Sequence, residues 1–286
     1  MNNGLTISDR EFRLIRTLVY ERFGINLTDQ KRALVVGRLQ KLLRDGGFSS
    51  FDHYHEAVTA DKSGTALDQL VNRISTNYTY FNREQAHFQF FTQTVLPDLV
   101  ARQRTRNHRD LRIWSAGCSS GEEPYMLTML MMEHLGSDYD SWSAGVLATD
   151  ISDQALGRAR RGIYEEEQVA KVPAAIKQKY FQRLGDDRWQ VMEKLRQQVT
   201  FRRFNLMNRQ FPFKKPFQVI FCRNVMIYFD TPTRQALVRR YHRHLEPGGY
   251  LFIGHSESLG RQQEDFQYIM PAVYRRNRDG NNHDRS

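Results

Sequence analysis

Leu111-Arg-Ile-Trp-Ser-Ala-Gly-Cys-Ser-Ser-Gly-Glu-Glu-Pro-Tyr125 reads as a short apolar strand, a loop of small residues, and a helix with Pro124 in its first turn. That order is the ligand-binding turn of a βαβ unit, where backbone amides approach a nucleotide closely. Two carboxylates, Glu122 and Glu123, stand where a pyrophosphate would meet the helix N-terminus, so a phosphate is repelled. A nucleoside that carries hydroxyls, an ammonium and a sulfonium is favoured instead, because carboxylates accept from all of its donors. S-adenosylmethionine has those features. Further on, a second apolar strand, Ala144-Gly-Val-Leu-Ala-Thr-Asp150, ends in an acid placed for a ribose.

Composition bounds the answer more loosely. A chain of 286 residues, 40% hydrophobic, is longer than one small core needs and predicts a main domain plus a smaller one. No apolar run approaches the roughly 18 residues that span a bilayer, and Met1 to Arg13 lacks the apolar centre of a signal peptide. A cytoplasmic protein without membrane insertion is expected. Cys118 and Cys222 each fall at a predicted strand end without zinc-site spacing, so they read as buried thiols and no metal is expected. The formal charge of +10 favours acidic partners: nucleic acid, anionic lipid or acidic protein. Nothing in the sequence demands more than a monomer.

Residues 1–76 read as helices only. Ser8-Asp9-Arg10-Glu11 is a capping box, Phe12, Ile15, Leu18, Val19 and Phe23 recur at helical spacing, and Gly24 closes the helix. A second helix begins at Thr28 or Asp29, with Leu34, Val35, Leu39, Leu42 and Leu43 inward. Its Lys31, Arg32, Arg38, Lys41 and Arg44 face largely outward, as a solvated face or as a dock for an acidic partner. Weaker helices around 51–58 and 67–74 complete a bundle with no evident active site of its own.

Residues 77–276 carry the α/β pattern. A long helix from Glu84 toward Arg106, kinked at Pro97, precedes the first strand. Helices at 125–135 and 154–162 alternate with strands, which continue at 199–204 and 217–222. Another helix starts at Asp230-Thr231-Pro232 and ends at Pro247-Gly248-Gly249, before a strand at 250–254. Val273-Tyr274-Arg275 reads as a closing edge strand. The fold expected is α/β: a doubly wound, Rossmann-like sheet, open at its carboxyl ends, with a small helical front domain. One stretch, about 165–198, breaks the alternation with two strand-like runs around Gly185-Asp186-Asp187, and reads as a small antiparallel β insertion. The polar residues 277–286 read as a disordered tail.

Four segments together carry a family resemblance: Thr76-Asn77-Tyr78-Thr79 with Arg83-Glu84, the Trp114–Tyr125 turn, Phe221-Cys-Arg-Asn-Val-Met-Ile-Tyr-Phe-Asp230, and Gly254-His-Ser-Glu-Ser258. In that order they resemble the CheR family, the chemotaxis receptor glutamate methyltransferases, over nearly the whole chain. The resemblance implies S-adenosylmethionine contacts at Asn77, Thr79, Arg83, Glu123, Asp150, Asn205, Leu206, Arg223 and Asn224, and places Tyr228 near the transferred methyl. It implies S-adenosylhomocysteine as the spent product and methyl-accepting chemotaxis receptors as partners, met on their cytoplasmic helical bundles by the basic face Lys31, Arg32, Arg38, Lys41 and Arg44. Recruitment of a cytoplasmic enzyme to membrane-bound receptor arrays follows from the same resemblance. In some members the β insertion also captures a receptor's C-terminal peptide as an added strand. Here the hairpin around Gly185 looks shorter and more acidic, which argues against tethering.

The residue types suit the chemistry. A glutamate side chain is already ionised at neutral pH, so its methylation needs no general base, only desolvation and alignment. Arg83, a permanent cation with a forked donor face, and Tyr228, a phenol donor, are the expected catalytic pair. Two rivals compete. Gly117-Cys118-Ser119-Ser120-Gly121 matches a hydrolase nucleophile elbow with Ser119 as nucleophile and His255 as base, although Glu122 and Glu123 oppose an oxyanion. The basic charge invites a nucleic-acid methyltransferase, yet Cys222-Arg223-Asn224-Val225-Met226 occupies the place of the Asn/Asp-Pro-Pro-aromatic loop that grips a flipped base. No nucleic-acid partner is expected.

Overall fold

Ser8 starts the first helix, α1 (Asp9–Phe23), through a complete capping box: its hydroxyl accepts from the Glu11 amide while the Glu11 carboxylate takes the Ser8 amide. Gly24 ends the helix in the left-handed conformation, donating to the Tyr20 carbonyl. The structure is a computed structural model that describes residues 6–75, 77–185, 187–260 and 264–278. Thr76, Asp186 and the tail from residue 279 onward, on which parts of the sequence reading fall, lie outside the described residues.

Helices α2 (Arg32–Asp45), α3 (Phe51–Ala60) and α4 (Thr65–Ile74) complete the front bundle. The buried seam of α2 is Val35, Leu39 and Leu43; Leu34, expected inward, is exposed, and Leu42 is half-buried. A one-residue step of roughly 100° around the helix carries Leu34 off that stripe. The basic face is also less free than its sequence predicts. Arg32 pairs with Asp9 at 2.8 Å and lies over the Phe12 ring, and Arg38 donates to the Ile74 carbonyl.

The single long helix expected from Glu84 to Arg106 is instead α5 (Gln85–Phe90), a π-helical turn over Phe91–Val95, and α6 (Leu96–Thr105). Pro97 accounts for this: it offers no N–H, and its ring presses on the carbonyl four residues back, so the preceding turn widens.

Strand β1 (Asp110–Ala116), helix α7 (Glu122–Leu135), strand β2 (Ser143–Asp150) and helix α8 (Asp153–Arg161) follow the expected alternation. The insertion comprises β3 (Ile163–Glu165), α9 (Glu166–Val169), α10 (Ala174–Tyr180), β4 (Phe181–Leu184), β5 (Arg188–Val191) and α11 (Glu193–Arg196). Its hairpin is joined by β3 into a three-stranded antiparallel sheet, β3-β5-β4. The main sheet then gains β6 (Val199–Arg203), β7 (Phe217–Cys222), α12 (Thr231–His244), β8 (Leu245–Ile253), β9 (Phe266–Met270) and β10 (Val273–Arg276). Its order is β6-β2-β1-β7-β8-β10-β9, parallel through β8 and antiparallel beyond.

Two boundaries differ from the sequence reading. Pro247-Gly248-Gly249 does not end α12; Leu245 already pairs with Phe217, and these residues form an irregularity inside β8 where the register shifts. Val273–Arg276 is not the edge either. It is flanked by β8 and β9, with Val273 and Tyr274 buried, and the more exposed β9 takes the edge.

The sheet separates two apolar clusters. One lies against α5 to α7 and the β insertion; the other joins Trp114, Ile220 and Tyr241 to Phe12, Ile15 and Val35 of the front bundle. The helical domain is therefore continuous with one face of the sheet. Polar ties reinforce the joint: Asn26 N–H to the Tyr228 carbonyl (2.7 Å), Asn205 Nδ2 to the Arg22 carbonyl (2.7 Å) and Tyr20 Oη to Asp230 (2.8 Å). Trp114, fully buried, donates Nε1–H to Thr149 Oγ1 at 2.8 Å across β1 and β2. Trp114→Phe is expected to cost about 1–3 kcal/mol in chemical denaturation, because it opens a void and leaves the Thr149 hydroxyl unmatched.

Candidate active site

The carboxyl ends of β1, β2, β6 and β7 open into one cavity, and all the positions marked by the resemblance line it, Tyr228 included. The turn after β1 shapes its floor. Gly117 sits at φ +85° where a Cβ would strike the Val225 side chain, so only glycine fits. Ser119, left-handed at φ +49°, aims its amide at Asp150 Oδ2 (2.8 Å), and the Ser152 amide reaches Oδ1 (2.9 Å). Burial pushes the Asp150 carboxyl up while these bonds pull it back. Each oxygen keeps acceptor capacity toward the cavity.

Arg223, at the end of β7, organises the opposite wall. Its Nε donates to Glu84 Oε2 and Nη1 to Glu123 Oε2, both at 3.2 Å; Nη2 bonds the Arg83 carbonyl, and the Phe88 ring lies 5.1 Å away. Glu123 Oε1 accepts from Ser115 Oγ at 2.7 Å. Burial raises the Glu123 carboxyl, and Arg223 opposes it. At Glu84 burial also pushes upward, but the Arg223 charge with donors from Asn224 and the His255 amide prevails and holds it low. Beneath them Glu257, buried, collects the amides of Asn224 (3.1 Å), Ile227 (3.0 Å) and Gly254 (2.5 Å). Two acids to which the sequence assigned no role thus fix residues 223–228.

Several of these side chains already have partners within the protein. Arg223 lines the cavity, but its guanidinium is directed at Glu84 and Glu123 and almost wholly buried. Asn205 also lines it, yet its carboxamide closes an Asx turn onto the Met207 amide and ties down the Arg22 carbonyl. Glu122 does not face the cavity: it is fully buried among Ser120 and Gln168, its carboxyl pushed up to about 7 by desolvation. The helical domain, read from sequence as a bundle with no evident active site of its own, supplies Phe23 and Ile25 to the wall. Arg83 donates to the Tyr78 carbonyl (3.0 Å), and Lys31 Nζ lies 6.0 Å from the Tyr228 ring.

The hydrolase reading fails on geometry. Ser119 Oγ donates to the Asn77 carbonyl at 3.0 Å, while His255 stands beside His87, ring centroids 4.5 Å apart, next to Glu84. That trio could converge on a cation, but Arg223 already lies against Glu84, so a second positive charge would meet a guanidinium.

A doubly wound sheet, parallel through β8, whose open end turns acids rather than a phosphate loop toward a cavity defines the class I S-adenosylmethionine-dependent methyltransferases. Residues 10–75 match the model of the "CheR methyltransferase, all-alpha domain" and residues 77–274 that of the "CheR methyltransferase, SAM binding domain". The chain belongs to the CheR methyltransferase family and is an S-adenosylmethionine-dependent methyltransferase. It is 42% identical to a chemotaxis protein methyltransferase of Borreliella burgdorferi, covering 96% of this chain and 97% of that one. The corresponding Escherichia coli protein is 37% identical over 98% and 95% of the two chains. Chemotaxis protein methyltransferase 2 of Pseudomonas aeruginosa is 40% identical over 92% of each.

Glu122 gives a pH test. Its folded pKa of about 7 lies above the ordinary 4.5, so its neutral form stabilises the fold fully below pH 4.5, and that contribution is lost as pH rises through 7. Glu122→Gln, neutral throughout, should be more stable than the parent by about 1–3 kcal/mol at pH 8, the gap closing toward pH 5, as read by calorimetric unfolding.

Proposed function

We propose that this protein transfers the methyl group of S-adenosylmethionine to glutamate side chains on the cytoplasmic domains of chemoreceptors, leaving glutamate methyl esters and S-adenosylhomocysteine. The observation that carries the reading is the pairing of Asp150, buried at the end of β2, and Glu123, half-buried in the first turn of α7 after the adjoining β1, with Arg83 and Tyr228 on the same cavity. Asp150 holds a ribose with its spare acceptor capacity, Leu206 walls the adenine, and Glu123 with Asn77 and Thr79 receives the amino-acid end. When bound, the sulfonium donor supplies an electrophilic methyl and departs as a neutral thioether.

The protein's part is alignment. A carboxylate oxygen forms the new bond to the methyl carbon as the sulfur–carbon bond breaks, and no proton moves, so no base is required. Arg83 and Tyr228 hold that carboxylate in line and replace the water it sheds. Loss of opposite charges during displacement rewards a site walled by Phe23, Ile25 and Leu206 over an aqueous one. A base-methylating alternative is disfavoured because Arg223–Val225 offers neither the Pro-Pro turn nor a stacking ring at that place.

Docking falls to the basic side of the helical domain. Arg32 and Arg38 brace the bundle, so Lys41 and Arg44 at its exposed end, with Lys31 beside Tyr228, are the groups that meet acidic receptor helices, and binding weakens with salt. The hairpin β4–β5, with four residues in each strand, argues against tethering of a receptor tail, so activity is expected to survive removal of that tail.

Incubation with radiolabelled S-adenosylmethionine and receptor cytoplasmic fragments should yield label that mild alkali releases as methanol; alkali-stable label would refute an ester. Asp150→Asn should weaken S-adenosylhomocysteine binding by about a hundredfold in calorimetry, from two charge-assisted bonds lost. Tyr228→Phe should lower kcat about tenfold with little change in that affinity.

A further inference from the structure

Among the described residues lining the cavity, Tyr78 and Ile227 are the most exposed large apolar side chains, at 73% and 45%. They come from segments far apart in sequence: Tyr78 from the joint after the helical domain, Ile227 from the turn that ends in Tyr228. Neither sits on loose chain. The Tyr78 carbonyl receives the Arg83 guanidinium at 3.0 Å, and the Ile227 amide is anchored on Glu257 at 3.0 Å. A soluble protein gains nothing from holding an aromatic and an aliphatic side chain out to water on fixed backbone at a pocket rim, unless something covers them.

Charge says what that something is. The Tyr78 ring tilts against Tyr80 at 6.0 Å, and Lys171 Nζ stands 4.3 Å over Tyr80; on the other lip Lys31 Nζ is held by the Asn26 carbonyl (3.1 Å) near Tyr228. Apolar lips backed by lysines fit an acidic protein segment that also carries apolar residues. A nucleic acid would find Ile227 a poor partner, since bases and phosphates gain most from ring faces and cations.

We propose that Tyr78 and Ile227 form a two-sided docking rim that grips apolar residues flanking the methyl-accepting glutamate, and so select which glutamates of an acidic partner segment enter the cavity. The rim rests on the glutamate reading above and adds the specificity determinant to it. A few well-placed anchors, tyrosine prominent among them, carry most of the binding energy of a contact, so truncation of either lip is felt in acceptor binding.

The test is steady-state methylation of a receptor cytoplasmic fragment by the full chain and by Tyr78→Ser and Ile227→Ser, with S-adenosylhomocysteine affinity measured in parallel. Each variant should raise the KM for the fragment about tenfold and leave S-adenosylhomocysteine affinity within twofold. Changing the apolar neighbours of the acceptor glutamate to serine should raise the parent's KM similarly, and the two changes should be non-additive in combination. An unchanged KM, strict additivity, or cofactor affinity that falls in step with KM would overturn the rim while leaving the methylation reading intact. No alkali-labile label from the parent protein would remove both.

Discussion

A buried guanidinium between two carboxylates holds this active site together. Arg223 leaves the end of β7 and meets Glu84 from the joint before α5 and Glu123 from the first turn of α7, so three remote segments are locked by one cation. Burial of such a charge is tolerable only because it is matched and hydrogen-bonded, and removal of both acids would leave it uncompensated, a state that costs about 3–5 kcal/mol. The same arrangement sets the chemistry: it fixes Glu123 at the cavity, carries Arg83 on the neighbouring backbone, and through Asn224 and Glu257 holds the turn that presents Tyr228.

The helical domain belongs to the same design. It packs on one sheet face through a shared apolar cluster, lends Phe23 and Ile25 to the cavity, and bonds Asn26 to the backbone of Tyr228. On the proposed function, the domain that carries the basic docking surface therefore touches the residue assigned to the transferred methyl, so recognition and alignment would share one contact.

Much of this was legible in the sequence because local chemistry and global fold agree there. The capping box at Ser8, the alternation from β1 to α8, the acid ending β2 and the Gly117–Gly121 turn are all short-range signals that the structure realises. What stayed hidden depends on contacts across the fold. Whether Glu122 or Glu123 faces the cavity is a matter of one helical step, settled by Gln168 from the insertion. The roles of Glu84 and Glu257 required knowing that 84, 223 and 257 converge. The Asn205 side chain is held by the Arg22 carbonyl of the helical domain, a contact that spacing cannot reveal, and α12 ends at His244 rather than at the glycines because β7 draws Leu245 into the sheet.

The account stands or falls on whether the Arg223 bridge is a fixed frame around which the donor binds. A crystal structure of the protein with S-adenosylhomocysteine measures this directly. The account predicts ribose hydroxyls within hydrogen-bonding distance of Asp150, sulfur on the Tyr228 side, and Arg223 still bonded to Glu84 and Glu123. A nucleoside lodged away from Asp150, or a guanidinium released from both acids to take the ligand's carboxylate, would contradict it.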